Sequence, residues 1–219
     1  MGQQSSALKD LYGYASRKIN TLQRLYLDDT SQGKQLLAEL RHGDMMTPGV
    51  DPQLWAVVFD GMPDSLVGRT DEPSRAELAV HATLILYATH QQSQRAGMHR
   101  PAVRFGQAVQ QLARSRGSEG EFDQGTITRF HQLCAQQSFP MRLRSLRSLV
   151  TLMRSEKIVG FDYAQLACDL YLIQNNASVN RVLLRWGRDL HANLRQDATD
   201  STSDSTSTND NDTTISKEN

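Results

Sequence analysis

ELAVHATLILYATHQQSQRAGMHRPAVRFGQAV, residues Glu77 to Val109, decides the fold. From Leu78 to Ala88 the run is apolar almost all the way round, broken by His81 and Thr83. A helix apolar on every side is buried, and this run is too short to cross a bilayer. It therefore predicts the central post of an all-helical domain. The second half changes character. Between Leu78 and Ser118 there is no Asp or Glu, while Arg95, Arg100, Arg104, Arg114 and Arg116 crowd together. A buried helix delivers the chain into an arginine surface that lacks acids.

Outward from this post, apolar periodicity predicts helices on both sides. Leu8, Leu11, Tyr12, Ala15, Ile19, Leu22, Leu25 and Tyr26 fall on one helical face, and a short helix follows from Lys34 to Arg41. Asp51-Pro52 offers a cap and a first-turn proline to a helix expected to carry Leu54, Trp55, Val58 and Phe59 inward. After the central helix, further helices are predicted from Pro101 to Arg114, Thr126 to Gln136, Pro140 to Lys157, Tyr163 to Gln174 and Val179 to Arg195. No alternating strand pattern and no repeat is present. The expectation is an all-α bundle of eight or nine helices in two lobes, about 8–115 and 121–196, joined at the Gly/Ser loop after Arg114. Residues 1–7 are expected to be disordered, as is the Ser, Thr, Asp and Asn tail at 197–219.

Overall neutrality hides an asymmetry. Residues 197–219 hold six acids and one base, a net of −5; removing them leaves 23 basic and 18 acidic residues, a net of +5. Nineteen of the 24 basic residues are arginine, whose planar fork suits phosphate. Cys134 and Cys168 lie apart at apolar helical positions, as expected of free thiols in a reducing cytosol. No membrane span is evident and a cytoplasmic location is expected.

Catalytic motifs are missing: no GxSxG, no HExxH, no GxGxxG. His81 and His90, nine residues apart, point to opposite sides of one helix and cannot share a metal. No cofactor or metal is expected, and the chain reads as a non-enzyme.

The positive signal is the placement of arginine. On the last helix Val179, Leu183, Trp186, Leu190 and Leu194 form a seam, and Arg181, Arg185, Arg188 and Arg195 recur on the other side. In the helix after Pro140, Arg142 and the outward trio Arg144, Arg147 and Arg154 accompany Ser148, Thr151 and Ser155. In the helix after Pro101, Arg104, Gln107, Gln111 and Arg114 oppose Phe105, Val109 and Leu112. Arg129 lies in another acid-free run, from Gln124 to Ser155. His99 and Arg100 precede a helix start, where backbone N–H groups favour anions.

Solvated helix faces mix Glu with Lys, whereas arginine among hydroxyls and glutamines suits a phosphate backbone. Arg95, His99, Arg100, Arg104, Arg114, Arg129, Arg142, Arg144, Arg147, Arg154, Arg181, Arg185 and Arg188 are the candidate contacts. About a third of these arginines are expected to pair with acids such as Asp162 or Asp169 instead. Aromatics are few and predicted to point inward (Trp55, Phe105, Phe130, Trp186), which argues against base stacking.

The ordered segments LLAELRHG, DPQLWAVVFDGMP, LILYATHQQSQ running to MHRP, FGQAVQQLAR, RFHQLC, LRSLRSLVTLM, FDYAQLACDLYLIQ and RWGRDL span about residues 36–190. In order and spacing the chain resembles the small subunit of the type I-E CRISPR surveillance complex Cascade, the CasB family. The resemblance implies an all-helical, non-enzymatic subunit present as two copies beside the backbone and large subunits. It would help hold the guide RNA–target DNA hybrid and the displaced strand. Phe105-Gly106-Gln107 and Thr128-Arg129-Phe130 depart from the family pattern by carrying fewer basic residues. A protein–protein scaffold without direct nucleic-acid contact remains the alternative on composition alone.

Overall fold

The structure, a computed structural model, describes residues 2–192 except 119 and 159; the expectations placed on 197–219, Leu194 and Arg195 lie outside these residues. Among the described residues there are nine α-helices: α1 (Gly2–Leu27), α2 (Ser31–His42), α3 (Trp55–Phe59), α4 (Arg75–Gln91), α5 (Phe105–Arg116), α6 (Gln124–Ala135), α7 (Phe139–Ser155), α8 (Tyr163–Ile173) and α9 (Asn176–His191). The all-α prediction holds.

The central post is α4. Ser74 and Glu77 close a capping box, the Ser74 hydroxyl accepting from Glu77 N–H and the Glu77 carboxylate from Ser74 N–H. From Ala79 to Gln91 every residue is buried, because α2, α7 and α8 cover it on all sides. α1 lies across α8 and α2, while α5 packs along α9. Two predicted lobes therefore share one core: α8, from the second, is clamped between α1 and α4 of the first. A short parallel bridge from His99 to Phe161 ties the segments further, with Arg100 N–H donating to Phe161 O (3.0 Å) and Phe161 N–H to Met98 O (3.1 Å). Gly160 permits this approach, since a Cβ there would collide with the Met98 carbonyl.

Three local expectations are corrected. The chain is helical from Gly2 rather than disordered to residue 7: α1 is anchored by Leu11 and Tyr14, and no proline interrupts its backward extension. The helix after Pro101 begins at Phe105 instead, because Val103 O is held by Asp162 N–H (2.7 Å) and residues 101–103 are drawn into a turn. Trp55 does not point inward. The segment after Asp51 is a 3-10 turn, Pro52–Leu54, followed by the short α3, and this leaves Trp55 half exposed with its indole N–H donating to Gly49 O. Phe105, Phe130 and Trp186 are buried as expected.

Candidate nucleic-acid interface

Helix α7 turns Leu143, Leu146, Val150 and Met153 into the core, so Arg144, Arg147 and Arg154 lie on the opposite side. They do not simply point into water. Arg147 donates to the Arg41 carbonyl on α2 (2.7 Å). Arg154 donates to the Gln92 side chain, and Gln94 donates back to Arg154 O (3.1 Å). These contacts border an open groove of about 540 Å³ lined by Tyr26, Lys34, Arg41, Gln92, Gln94 and Arg95, among others. Its wall is a tight turn at Ser93, in the left-handed region (φ 61°), pinned by Ser93 N–H donating to the Tyr26 hydroxyl (3.1 Å).

Arg41 of α2 and Arg95 of the loop after α4 thus line the groove, and Arg147 and Arg154 of α7 bond to two of its lining residues, Arg41 and Gln92. Burial, with Arg154 nearby, lowers the Arg41 pKa from its ordinary value. The partners of Arg147 and Arg154 are neutral oxygens. Asp29, the carboxylate at the rim, pairs with Lys34 (2.7 Å). Sequence reading missed Arg41 because a basic residue in the last turn of a helix is the ordinary complement of the helix dipole. Gln92 and Gln94 carried no signal of their own.

A second arginine face lies over the α5–α9 seam. Gly106 makes that seam close: a Cβ there would collide with the Trp186 carbonyl and sit 2.7 Å from Asp189 Cβ. Arg104 spans the seam to Asp189 (3.3 Å). Arg114 stacks its guanidinium over Phe122 (5.7 Å to the centroid), and Arg188 is exposed on α9. Further along α9, Arg181 and Arg185 border a hollow with Lys9, Tyr12 and Gln165. Arg185 reaches the buried Asp169 of α8, which also accepts from the Trp186 indole N–H (2.6 Å) and from Gln165 (2.9 Å). Burial pushes the Asp169 carboxyl up, opposed by Arg185.

Across the predicted set, Arg104 and Arg185 are the two arginines with a carboxylate partner among the described residues. Asp169 takes such an arginine as expected; Asp162 does not. Arg95, Arg100 and Arg188 are exposed. Arg144 and Arg129, also exposed, contact the Met141 sulfur and the Gly125 carbonyl. Two predicted contacts are corrected. His99 is buried, its Nδ1 accepting from Tyr163 N–H (3.2 Å) with Asp162 3.9 Å away, because the bridge to Phe161 draws it inside. Burial lowers its pKa, opposed by Asp162, and its ring is engaged inside the fold. Arg142 is also buried, its Nε without a partner among the described residues, since its position on α7 faces α6 and Cys134.

The remaining titratable groups of the core are structural. His81 Nε2 donates to Asp44 O (2.8 Å), and His90 Nδ1 lies 2.9 Å from the Tyr163 hydroxyl. Cys134 and Cys168 are free, with burial raising the thiols to about 11 and about 12. Among the described residues no three His, Cys, Asp or Glu side chains gather as a metal site, and no helix is long and apolar enough to cross a membrane.

Comparison with known proteins returns one consistent answer. The family profile of CRISPR-associated protein Cse2 matches residues 36–191. The crystal structure of CasB from Thermobifida fusca superposes with a TM-score of 0.69 at 29% identity, covering 84% of this chain and 98% of that one. A Cse2-family CRISPR-associated protein from Thermus thermophilus has the same fold, with a TM-score of 0.55 at 21% identity over 80% of this chain and 96% of that one. A search of curated proteins finds no match. The profile spans most of the described helices, including α4 and both arginine faces, and on that ground the chain belongs to the CRISPR-associated Cse2 family.

Proposed function

We propose that this chain is the small, non-catalytic subunit of a type I-E RNA-guided surveillance complex, acting in the cytoplasm. It binds nucleic-acid backbone without regard to sequence and steadies the guide RNA–target DNA hybrid and the displaced strand. Family membership supports the setting. The observation that carries the contact is the groove lined by Arg41 and Arg95, beside which Arg147 and Arg154 are held by the neutral oxygens of Arg41 and Gln92. Arginines held in position but not neutralised are ready for an external anion.

The chemistry suits the task. In a guided complex base pairing reads the sequence, so the protein needs only to recognise backbone shape and charge. Strand exchange is nearly balanced in energy, so holding the displaced strand favours the open state. Of the four aromatics read as inward, Phe105, Phe130 and Trp186 stay in the core and Trp55 is half exposed, so the reading rests on charge and not on a stacking platform. A second copy of this chain, together with the backbone and large subunits of the complex, would extend the surface into a track.

Single-stranded DNA binding by the Arg144→Ala, Arg147→Ala, Arg154→Ala triple variant tests the reading across a salt series. The expected outcome is weaker binding, with the slope of log K against log salt reduced by roughly one unit per lost contact. An unchanged slope would remove the phosphate assignment and leave a protein scaffold as the function.

A further inference from the structure

Beside the exit of α9 the chain carries its own polyanion. The last described residue, Ala192, is held by Gln110 of α5, whose Nε2 donates to Leu190 O and Ala192 O (2.7 Å each). The preceding His191 ring lies 6.4 Å from Phe122, over which Arg114 is stacked. Arg188 is one helical turn back along α9. The last described residue therefore lies beside Arg114 and Arg188. Neither has a carboxylate partner among the described residues.

Five residues beyond Ala192 comes Asp197, followed by Asp200, Asp204, Asp210, Asp212 and Glu218. At about 3.4 Å per extended residue, Asp197 reaches roughly 17 Å from the exit, and the later acids reach any point on this face. Residues 197–219 carry −5 against +5 for the rest of the chain. Among the described residues no nearby acid pairs with Arg114 or Arg188. Asp123 caps α6 through Thr126 and pairs with Arg116, which also binds Glu156; Asp189 pairs with Arg104; Glu121 is exposed on the loop.

We infer that residues 197–219 dock on the α5–α9 arginine face through Arg114 and Arg188, acting as an internal competitor for the nucleic-acid backbone. This rests on the proposed nucleic-acid role only for its consequence, not for the docking itself. The tail is tethered, so its local concentration is high and even weak pairing occupies the face. It yields to a long strand that releases more counterions, and the chain thereby discriminates against short or stray nucleic acid. The device is purely electrostatic and must fade as salt shortens the screening length.

Two measurements on the full chain separate the docking from its consequence. The first follows tail amides of isotopically labelled protein by nuclear magnetic resonance between about 20 and 500 mM salt. Docking predicts salt-dependent shifts at 197–219 that disappear in the Arg114→Glu, Arg188→Glu variant; tail signals indifferent to both salt and that variant overturn it. The second compares random single-stranded DNA binding by the native chain and by one whose six tail acids are changed to Asn or Gln at unchanged length. Competition predicts binding roughly three- to tenfold tighter for the neutral tail at low salt, converging at high salt. Equal affinities beside positive tail shifts overturn the competition. Absence of DNA binding by either protein overturns the nucleic-acid role, while the resonance result still decides the docking.

Discussion

At the α8–α9 corner an arginine meets a carboxylate; where α7 meets α2 and the loop after α4, Arg147 and Arg154 meet a carbonyl and an amide oxygen. Arg185 ends on Asp169, a buried carboxylate that also holds the Trp186 indole. Arg147 and Arg154 end on Arg41 O and the Gln92 amide. Both arrangements fix a guanidinium by hydrogen bonds, but only the first cancels its charge. Arginine is cohesive where the partner is ionised and available where it is neutral. One residue type thus has its charge cancelled in one region and left uncancelled in the other.

Removing the carboxylate breaks the comparison most severely. Asp169→Ala leaves Arg185, Gln165 and the buried Trp186 N–H without their acceptor, and should cost about 3–5 kcal/mol in chemical denaturation. A loss below about 1 kcal/mol would show that the corner is not held by charge.

Acid comes next, acting on the core while leaving guanidiniums charged. His90 is buried neutral, its pKa lowered to about 4 by burial, and burial lowers His81 and His99 too. Below the unfolded histidine value of about 6.5 the unfolded chain binds protons that the folded chain refuses. Stability present above that value should fall as the pH drops from about 6.5 towards 4, by on the order of 3 kcal/mol for His90 alone. Denaturation midpoints across this window check it. A His90→Gln variant should show a shallower decline.

Gly106→Ala probes whether the α5–α9 face depends on close packing. Its Cβ meets the Trp186 backbone, so the helices must separate, at about 1–3 kcal/mol. Thermal denaturation with single-stranded DNA binding on the same samples would report whether the face is disturbed along with the fold.

The sharpest contrast comes from paired single substitutions, of which Arg147→Ala has the smallest effect on stability. Arg147→Ala should change stability by under about 1 kcal/mol while lowering the salt slope of DNA binding by roughly one unit. Arg185→Ala should do the reverse, leaving Asp169 uncompensated with the slope intact. Equal slope changes from the two would erase the distinction between regions.

Much of this was legible before any coordinates. The apolar belt of α4 could only be buried, and Val179, Trp186 and Leu190 on α9 announced which side faced inward. What escaped sequence reading was contact between distant segments. His99 resembled a surface residue at a helix start until Phe161 closed over it, and Arg142 stood in an arginine-rich helix beside arginines that do emerge. Trp55 had the right spacing for the core, but the 3-10 turn before it rotated it outward. Arg41 joined the groove only because α2 and α7 meet at its carbonyl.

Sequence by itself determined the helices, the central post and an excess of arginine over acid, since apolar period and composition are local properties that any packing must respect. Only the tertiary structure decided which guanidiniums are neutralised, which are buried and which converge. A charge is cancelled or left available by atoms that arrive from elsewhere in the chain, and no spacing along the sequence records their arrival.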